Sequence, residues 1–438
     1  MDSFSPPIPD SVTVLIVGKG GREHALAWKL AQSPSVWRIF VPPGNAGTEE
    51  ADKTQNVANI QPNDYEAIVF FAKANGVGLV VAGPDEAVVD GIEDHFRGTG
   101  IPCFAPSRAA AEIEGSKVFA KTFMRRYGIP TSIGEGFEYY SKAREYIKNV
   151  ERPVVIKASG LAAGKGVILP KGKEEALEAL DDIMVYKKFG KEAGDSVVIE
   201  TFLEGDDISV HTFCDGYTWK SLPAGQDHKR ASAADGPNTG GMGVYTPTTF
   251  ITDKDMERID SKIIKRTLDG LQREGKTSFS WAAILGYRTL PQMMTQFGPK
   301  VIEYNARFGD PETQSMLPLL SDDTDLCHIL LACISGKLAD VEIKHRSGYV
   351  CNVVVASEGY PGPYVQGHSI ELAPCPEGTL IFHAGTRREN GVLKTAGGRV
   401  FAVTASGRTL EEAVKAAYAG VDLIKFDGMH YRKDIASR

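Results

Sequence analysis

Paired cysteines, histidine metal motifs and long hydrophobic runs are all missing from the sequence. Its six cysteines are scattered without a Cys-x-x-Cys pair, which disfavours disulfides and a zinc site and favours reduced thiols in a cytosolic protein. The nine histidines show no His-Glu-x-x-His spacing, so a histidine metal site is disfavoured as well. No apolar run approaches the roughly 20 residues that span a bilayer, and we therefore expect no membrane partner.

An excess of positive charge is missing too. Lysine and arginine number 49 against 56 acidic residues, a net charge of −7. We therefore expect no nucleic-acid partner, because such proteins usually carry a basic surface. Residues 1–11 lack the apolar stretch of a signal peptide, so we expect a disordered tail and a cytoplasmic location. A chain of 438 residues, 42% of them hydrophobic, should form roughly two to four compact units.

The most informative stretch is a glycine-rich loop within residues 153–166. Residues 154–156 predict a short buried strand that ends at Lys157, and three glycines follow. Glycines let backbone N–H groups close around an anion, and Lys157 and Lys165 add charges suited to phosphate oxygens. The spacing is not that of the P-loop. A hairpin turn that binds nothing would explain this loop equally well on its own.

The N-terminal part predicts a doubly wound sheet. An apolar run at residues 12–17 is followed by glycines at 18–21 and then by a helical pattern, which indicates an anion site at a helix N-terminus. The glycine spacing is not the dinucleotide fingerprint, so NAD binding is disfavoured. Further strand and turn signals at 39–47 and 79–85 place more loops at the carboxyl edge of the same sheet, although each alone would be an ordinary turn.

Two later stretches carry candidate ligands. The polar, glycine-rich residues 225–243 form a loop too long for a simple connector, and such loops are usually functional. Residues 301–305 predict a strand in which Glu303 and Asn305 share a face. One carboxylate and one amide oxygen suit Mg²⁺ when phosphates complete its coordination. A solvent-facing strand edge is the alternative, and residues 307–312, which follow directly, favour the metal site.

Three features together resemble ATP-grasp enzymes: the strand-end lysine with its glycine flap, a Glu-x-Phe-Leu hinge at 200–203, and the Glu-x-Asn strand. The chain specifically resembles the phosphoribosylamine–glycine ligase family over nearly all of residues 12–435. The motifs that carry this resemblance are Gly18-Lys-Gly-Gly-Arg-Glu-His24, Gly44-Asn-Ala-Gly47, Gln226-Asp-His-Lys-Arg230, Gly236-Pro-Asn-Thr-Gly-Gly-Met-Gly243 and Arg307-Phe-Gly-Asp-Pro-Glu312.

The resemblance implies a multidomain α/β fold. Its parts are an N-terminal doubly wound parallel sheet (12–115), an ATP-grasp core (116–340) with a small flap subdomain (about 131–202), and a C-terminal strand-rich domain (341–438). The implied activity is ATP-dependent ligation of glycine to 5-phosphoribosylamine through glycyl phosphate, a step of purine synthesis, with Mg²⁺ or Mn²⁺. In many eukaryotes this unit resembles the first part of a longer multifunctional purine enzyme, so a longer polypeptide is a further expectation.

The resemblance also implies roles for individual residues. Asp227 would face the ammonium of glycine and Arg307 its carboxylate, and with Lys157 they form the predicted catalytic group. The predicted ATP and metal residues are Lys117, Lys157, Gly164, Lys165, Gly166, Glu200, Phe202, Leu203 and Asp207 for ATP, with Glu303 and Asn305 for the metal. The other predicted substrate residues are Gly20, Gly21, Arg22, Glu23, Asn45, Gly47, Asp85, Lys229, Asn238, Thr239, Gly240, Gly309 and Asp310.

The sequence departs from the family pattern in three places. Asp207 and Asp85 each stand where the family usually has glutamate. Residues 279–294 are several residues longer than the family strand, and Pro291 lacks the N–H that a central strand needs, so no continuous strand is predicted there. An insertion or a gene-model error would each account for the third departure. Alternatives to the ligase are therefore another ATP-grasp carboxylate–amine ligase and a nucleotide-binding protein without turnover.

Overall fold

The computed structural model describes residues 11–162, 164–232, 236–276 and 298–437, together with the backbone of 281–289. Five parallel strands form the N-terminal sheet in the order β3-β2-β1-β4-β5. These strands are β1 (Val12–Val17), β2 (Val36–Val41), β3 (Thr54–Asn56), β4 (Leu79–Ala82) and β5 (Cys103–Phe104). The accompanying helices are α1 (Gly21–Ala31), α2 (Ala46–Glu50), α3 (Tyr65–Ala74), α4 (Asp85–Val89), α5 (Ile92–Phe96) and α6 (Arg108–Gly115).

The central strand of this sheet is buried on both faces. Val14 and Ile16 pack into one hydrophobic cluster, whereas Leu15 and Val17 pack into another on the opposite side. The strand order reverses between β1 and β4, which is where ligands bind in open α/β sheets. The loops after β1 and β4 therefore meet at one edge.

Two antiparallel four-stranded sheets follow. The flap sheet has the order β6-β9-β7-β8, and the second sheet has the order β11-β10-β14-β15. The strands of this region are β6 (Gly134–Phe137), β7 (Val154–Ala158), β8 (Val167–Ile168), β9 (Val197–Thr201), β10 (Asp206–Cys214), β11 (Trp219–Ser221), β12 (Gln226–Asp227), β13 (Gly243–Thr246), β14 (Trp281–Thr289) and β15 (Lys300–Asn305). The helices are α7 (Lys117–Arg126), α8 (Tyr140–Asn149), α9 (Lys173–Leu180), α10 (Asp253–Ile259) and α11 (Lys265–Arg273), with π-helical turns at Asp181–Val185 and Asp260–Ile264.

The expectation that no continuous strand forms around residue 285 is wrong for residues 281–289. Strand β14 pairs with β10 on one side and β15 on the other, so it occupies a central position. Within the described residues it runs from Trp281 to Thr289. Residues 279, 280 and 290–294 of that stretch, Pro291 included, lie outside the described residues, as do the side chains of 281–289.

The C-terminal part is rich in antiparallel strands, as expected. The main sheet has the order β12-β13-β16-β21-β18, with β23 beside β16. Its strands and the smaller pairs are β16 (Tyr349–Ser357), β17 (Glu371–Leu372), β18 (Thr379–His383), β19 (Thr386–Glu389), β20 (Val392–Thr395), β21 (Arg399–Gly407), β22 (Ile424–Lys425) and β23 (Met429–Tyr431). The helices are α12 (Thr313–Leu319), α13 (Leu326–Ser335) and α14 (Leu410–Val421), with a 3₁₀ turn at Leu338–Asp340.

Three further features complete the description of the fold. Strands β12 and β13 join the C-terminal sheet, so the polar loop between them is anchored there at both ends. The six cysteines are all free thiols. Among the helices within the described ranges, none is both long and apolar enough to cross a membrane. The expected fold class, multidomain α/β with a strand-rich C-terminal part, is confirmed.

Candidate functional site

A cavity of about 1030 Å³ lies where the flap sheet, the β10–β15 sheet and the C-terminal sheet meet. The strand-end Lys157, the flap residue Lys165, and Glu303 and Asn305 of β15 all line it. The other predicted site residues in its lining are Arg22, Asp85, Lys117, Gly164, Gly166, Glu200, Leu203, Asp207, Asp227, Lys229, Asn238, Thr239, Gly240, Arg307 and Asp310. Sequence patterns far apart in the chain therefore identify one site.

The remaining predicted site residues are not part of the cavity lining. Asn45 caps helix α2 and donates from its side-chain amide to the carbonyl of Lys19 at 2.9 Å, next to Gly20. A Cβ added at Gly20 would come 3.3 Å from the carboxylate of Asp310, which does line the cavity. The predicted residues outside the lining are Gly20, Gly21, Glu23, Asn45, Gly47, Phe202 and Gly309. Their assignment to substrate or ATP stays a prediction.

Helix α7 and strand β7 position Lys117 and Lys157 beside the glycine-rich loop. Ser116 caps α7 by accepting from the Phe119 N–H. Lys117 follows, and its ammonium donates to the Gly160 carbonyl at 3.3 Å, close to the glycine loop. Lys157 donates to the Ile302 carbonyl of β15 at 3.1 Å. The side chain of Lys157 therefore connects the flap sheet to strand β15.

Glu200 is the partner of two buried lysines. One carboxylate oxygen lies 2.5 Å from the Lys157 ammonium, and the other lies 2.7 Å from the Lys121 ammonium. Lys121 also donates to the backbone and hydroxyl of Ser132. Burial opposes ionisation of Glu200, but the charges of Lys157 and Lys121 outweigh it and lower its pKa to about 2. Lys121 was not predicted from the sequence, because no local motif marks it.

This arrangement predicts a pH dependence of stability. The pKa of Glu200 in the folded protein, about 2, lies below its ordinary value of 4.5, so the unfolded state binds more protons between these values and the free energy of unfolding rises with pH there. The contribution of ionised Glu200 should be full above pH 4.5 and be lost as pH falls toward 2. Urea unfolding of the parent and Glu200→Gln at about pH 3 and about pH 6 measures it. A difference in free energy that is equal at both pH values would contradict it.

Strand β15 brings both predicted metal residues, Glu303 and Asn305, to the cavity, and Ile302 and Tyr304 also contribute to its lining. The side chains of Glu303 and Asn305 reach the cavity, whereas the hydroxyl of Tyr304 is buried behind the strand, 2.9 Å from that of Thr267. Glu303 lies 2.8 Å from the ammonium of Lys229. That ammonium, more than burial, determines the pKa of Glu303 and holds it well below the usual range. Glu303 is therefore an anion at neutral pH.

The oxygens of Glu303 and Asn305 fit a magnesium ion that arrives with phosphates. Within the described residues, no group of three or more His, Cys, Asp or Glu side chains could hold a metal alone. Two protein oxygens are the usual share when Mg²⁺ is bound together with phosphate and water oxygens. The donor set thus fits a metal–nucleotide complex better than a resident ion.

Arg307 lies beside Asn305 of strand β15. Its guanidinium donates to the Asn305 side-chain oxygen at 3.1 Å and lies 3.1 Å from the carboxylate of Glu114. Burial opposes the charge on Arg307, but Glu114 and Asp85 outweigh it and raise its pKa above the usual range. Burial in turn raises the pKa of Glu114, although Arg307 partly offsets this. Glu114 was also missed by sequence reasoning.

Asp227 lies on strand β12, near the carboxylates of Glu312 and Asp207. It is buried, and its Oδ1 atom has no hydrogen-bond partner. Burial and the neighbouring carboxylate of Glu312 raise the pKa of Asp227 well above its usual range. Burial opposes the charge on Lys229, but Glu303 and Asp227 outweigh it and raise the pKa of this lysine. A buried carboxyl group with one unsatisfied oxygen among the described residues is suited to a small cationic ligand.

The glycine flap, Lys117 and Lys157, and the Glu-x-Asn strand share one cavity, and this arrangement defines an enzyme of the ATP-grasp class. The sequence matches three family descriptions in chain order: Phosphoribosylglycinamide synthetase N domain (12–114), ATP-grasp (A) domain (115–313) and C domain (350–438). The chain belongs to the phosphoribosylglycinamide synthetase family. The resemblance stated from the motifs is therefore confirmed.

Relatives of two lengths support this membership. The chain is 45% identical to phosphoribosylamine–glycine ligase of Halalkalibacterium halodurans, covering 98% of this chain and 97% of that protein. It is 49% identical to a bifunctional purine biosynthetic protein of Schizosaccharomyces pombe over 98% of this chain but 54% of that protein. It is 44% identical to a trifunctional purine biosynthetic protein of Homo sapiens over 97% of this chain and 42% of that protein. The chain thus spans about half the length of these longer relatives.

Solved structures agree with the fold. A phosphoribosylamine–glycine ligase from Thermotoga maritima matches with a TM-score of 0.80 and 34% identity, covering 97% of this chain and 100% of that one. A biotin carboxylase domain from Hydrogenobacter thermophilus matches with a TM-score of 0.74 at 17% identity, covering 96% and 91%. The second likeness shows the shared fold alone.

Proposed function

We propose that this chain catalyses the ATP-dependent ligation of glycine to 5-phosphoribosylamine, giving glycinamide ribonucleotide, ADP and phosphate. The observation that carries the proposal is that Lys157, Lys165, Glu303 and Asn305 converge on one cavity, with Arg307 beside them. Relatives named phosphoribosylamine–glycine ligase, which align with this chain over nearly their whole length, support the choice of substrates.

The first chemical step activates a poor electrophile. An oxygen of the glycine carboxylate attacks the γ-phosphorus of ATP, the bond to ADP breaks, and glycyl phosphate results. Two anions must approach each other, so the charges of Lys117, Lys157 and Arg307 offset their repulsion and the charge that develops. A magnesium ion held by Glu303 and Asn305 would supply further neutralisation of the phosphate oxygens when bound.

Glycine itself is bound by two opposite charges in this proposal. The fork of Arg307 would hold the carboxylate, and the buried carboxyl group of Asp227 would face the ammonium. Because burial and Glu312 raise the pKa of Asp227, an arriving ammonium favours the ionised form and gains a charge-assisted hydrogen bond. Charge on the amino acid is therefore matched at both ends.

The second step forms the amide. The amine of phosphoribosylamine attacks the acyl carbon, the bond to phosphate breaks, and phosphate leaves with one former carboxylate oxygen. Glycyl phosphate is labile in water, so the flap at residues 164–166 must exclude water while it exists. Lys165 is exposed at the rim of the cavity, a position from which it can close over the phosphates.

Phosphate release tests this proposal. We expect release of phosphate from ATP to require both glycine and phosphoribosylamine, with turnover on the order of 1–100 s⁻¹, as is usual for phosphoryl transfer. Omission of either substrate should reduce the rate to background. Turnover independent of both would contradict the proposal and favour another ATP-grasp ligase. Tight binding of ATP without any turnover would instead favour a nucleotide-binding protein.

A further inference from the structure

The backbone of Gly240 is held on both sides by residues of the C-terminal domain. Its N–H donates to the Tyr360 hydroxyl at 3.1 Å, and its carbonyl accepts from the Arg399 guanidinium at 2.9 Å. We call these two side chains the Gly240 clamp. They lie 120 and 159 residues away in sequence, so no local motif indicates them. An exposed loop would leave such groups to water, whereas here both are fixed by protein.

Arg399 also joins this loop to the segment after Arg307. The same nitrogen that contacts Gly240 donates to the Asp310 carbonyl at 2.7 Å, and another lies 3.1 Å from the Asp310 carboxylate. A guanidinium can hold several oxygens in one plane, which a lysine ammonium cannot reproduce. Arg399 therefore fixes two walls of the cavity relative to each other.

From Gly240 the contacts continue toward the metal strand and the flap. The backbone N–H and the hydroxyl of Thr239 both donate to the Lys229 carbonyl, at 2.7 and 2.9 Å. Lys229 is the residue whose ammonium pairs with Glu303. A Cβ added at Gly164 of the flap would come 3.3 Å from the Thr239 carbonyl, so the flap backbone lies directly against this loop. Displacement of the loop would thus disturb both.

We propose that Arg399 and Tyr360 are positioning residues for the reaction proposed above, on which this inference rests. The clamp holds residues 236–243 as a fixed wall that receives the amine substrate and against which the flap closes. Neither side chain needs to contact a reacting atom. The C-terminal domain therefore completes a site whose nucleotide-binding residues lie elsewhere.

Conservative variants separate this role from a general role in folding. Tyr360→Phe removes only the hydroxyl that accepts from Gly240, and Arg399→Lys keeps the charge but not the fork. Tyr349→Phe and Arg387→Lys are matched controls in the same domain, outside the cavity lining. We expect kcat/KM for phosphoribosylamine to fall about tenfold in Tyr360→Phe and more in Arg399→Lys, the loss expected when a polar partner is left unsatisfied. The Tm should stay close to the parent value.

Hydrogen–deuterium exchange of the peptide covering residues 236–243, without ligands, provides a readout independent of activity. We expect faster exchange in both variants and parental exchange in both controls. Parental exchange in the variants, or faster exchange with unaltered kcat/KM, would contradict the positioning role of Arg399 and Tyr360. So would a loss of activity that only follows a lowered Tm. A parent without glycine-dependent turnover would refute the proposed function, whereas an active parent with unaffected variants would refute the clamp alone.

Discussion

Glu303→Ala should lower turnover by about 10³-fold or more, because a metal ligand supplies several kcal/mol of charge stabilisation and each 1.36 kcal/mol is tenfold in rate. The fold should survive. The side chain of Glu303 lies on the cavity wall rather than in the core, and the Lys229 ammonium that it leaves is itself partly exposed and can be hydrated. Steady-state phosphate release, with circular dichroism as the check of folding, measures both effects.

A surface variant gives the comparison for Glu303. The side chain of Glu342 is 77% exposed and forms an ion pair with Lys344 at the surface, so Glu342→Ala should turn over like the parent. Parental turnover in Glu303→Ala would remove the metal assignment. Loss of turnover in both variants would show that the assay reports something other than the site.

Arg307→Lys should lower kcat/KM for glycine by about 10²-fold or more, since a point charge cannot replace a fork. The guanidinium has three partners at once: the Asn305 amide oxygen, the Glu114 carboxylate and the Phe308 carbonyl. An ammonium on a lysine stem would lose part of this set and leave Glu114 as a buried, poorly paired carboxylate. Substrate-dependent kinetics with varied glycine measure the loss.

The exposed Arg408 offers a matched control for the same chemical change. Arg408→Lys should leave the glycine dependence unaltered, because Arg408 lies outside the cavity lining. Near-parental glycine kinetics in Arg307→Lys would contradict the role given to the guanidinium. A large effect of Arg408→Lys would show that the loss does not come from the site.

Local patterns predicted the parts of the site that are short in sequence. Alternation along residues 301–305 predicted that Glu303 and Asn305 share a face, and both line the cavity, while Ser116, a residue type that favours helix N-caps, caps α7. Both follow from backbone periodicity and terminal hydrogen bonding, which neighbouring residues determine. The glycine loop after Lys157 was equally visible for that reason.

Contacts between distant segments were not predictable in the same way. Glu200 was predicted as an ATP residue, but its pairing with Lys157 and with Lys121, which lies 79 residues away, was not predicted. Arg399 and Tyr360 reach the loop from the C-terminal domain without any motif of their own. Such pairs depend on how sheets pack, which a single sequence does not show.

The prediction that no continuous strand forms in this region was wrong for residues 281–289. Pro291 was placed within the central strand by comparison with the family length, whereas β14 ends at Thr289. Strand β10 (Asp206–Cys214), its long partner, was not predicted either.

Oxygen transfer from substrate tests the central claim most directly, namely that a carboxylate is activated by ATP in this cavity. Glycine labelled with ¹⁸O in its carboxylate should pass one labelled oxygen to the phosphate released in each turnover, because the acyl–oxygen bond to that phosphate breaks. Mass spectrometry of the phosphate gives the answer. Labelled phosphate is the predicted result, and unlabelled phosphate formed together with the amide product would contradict activation as glycyl phosphate.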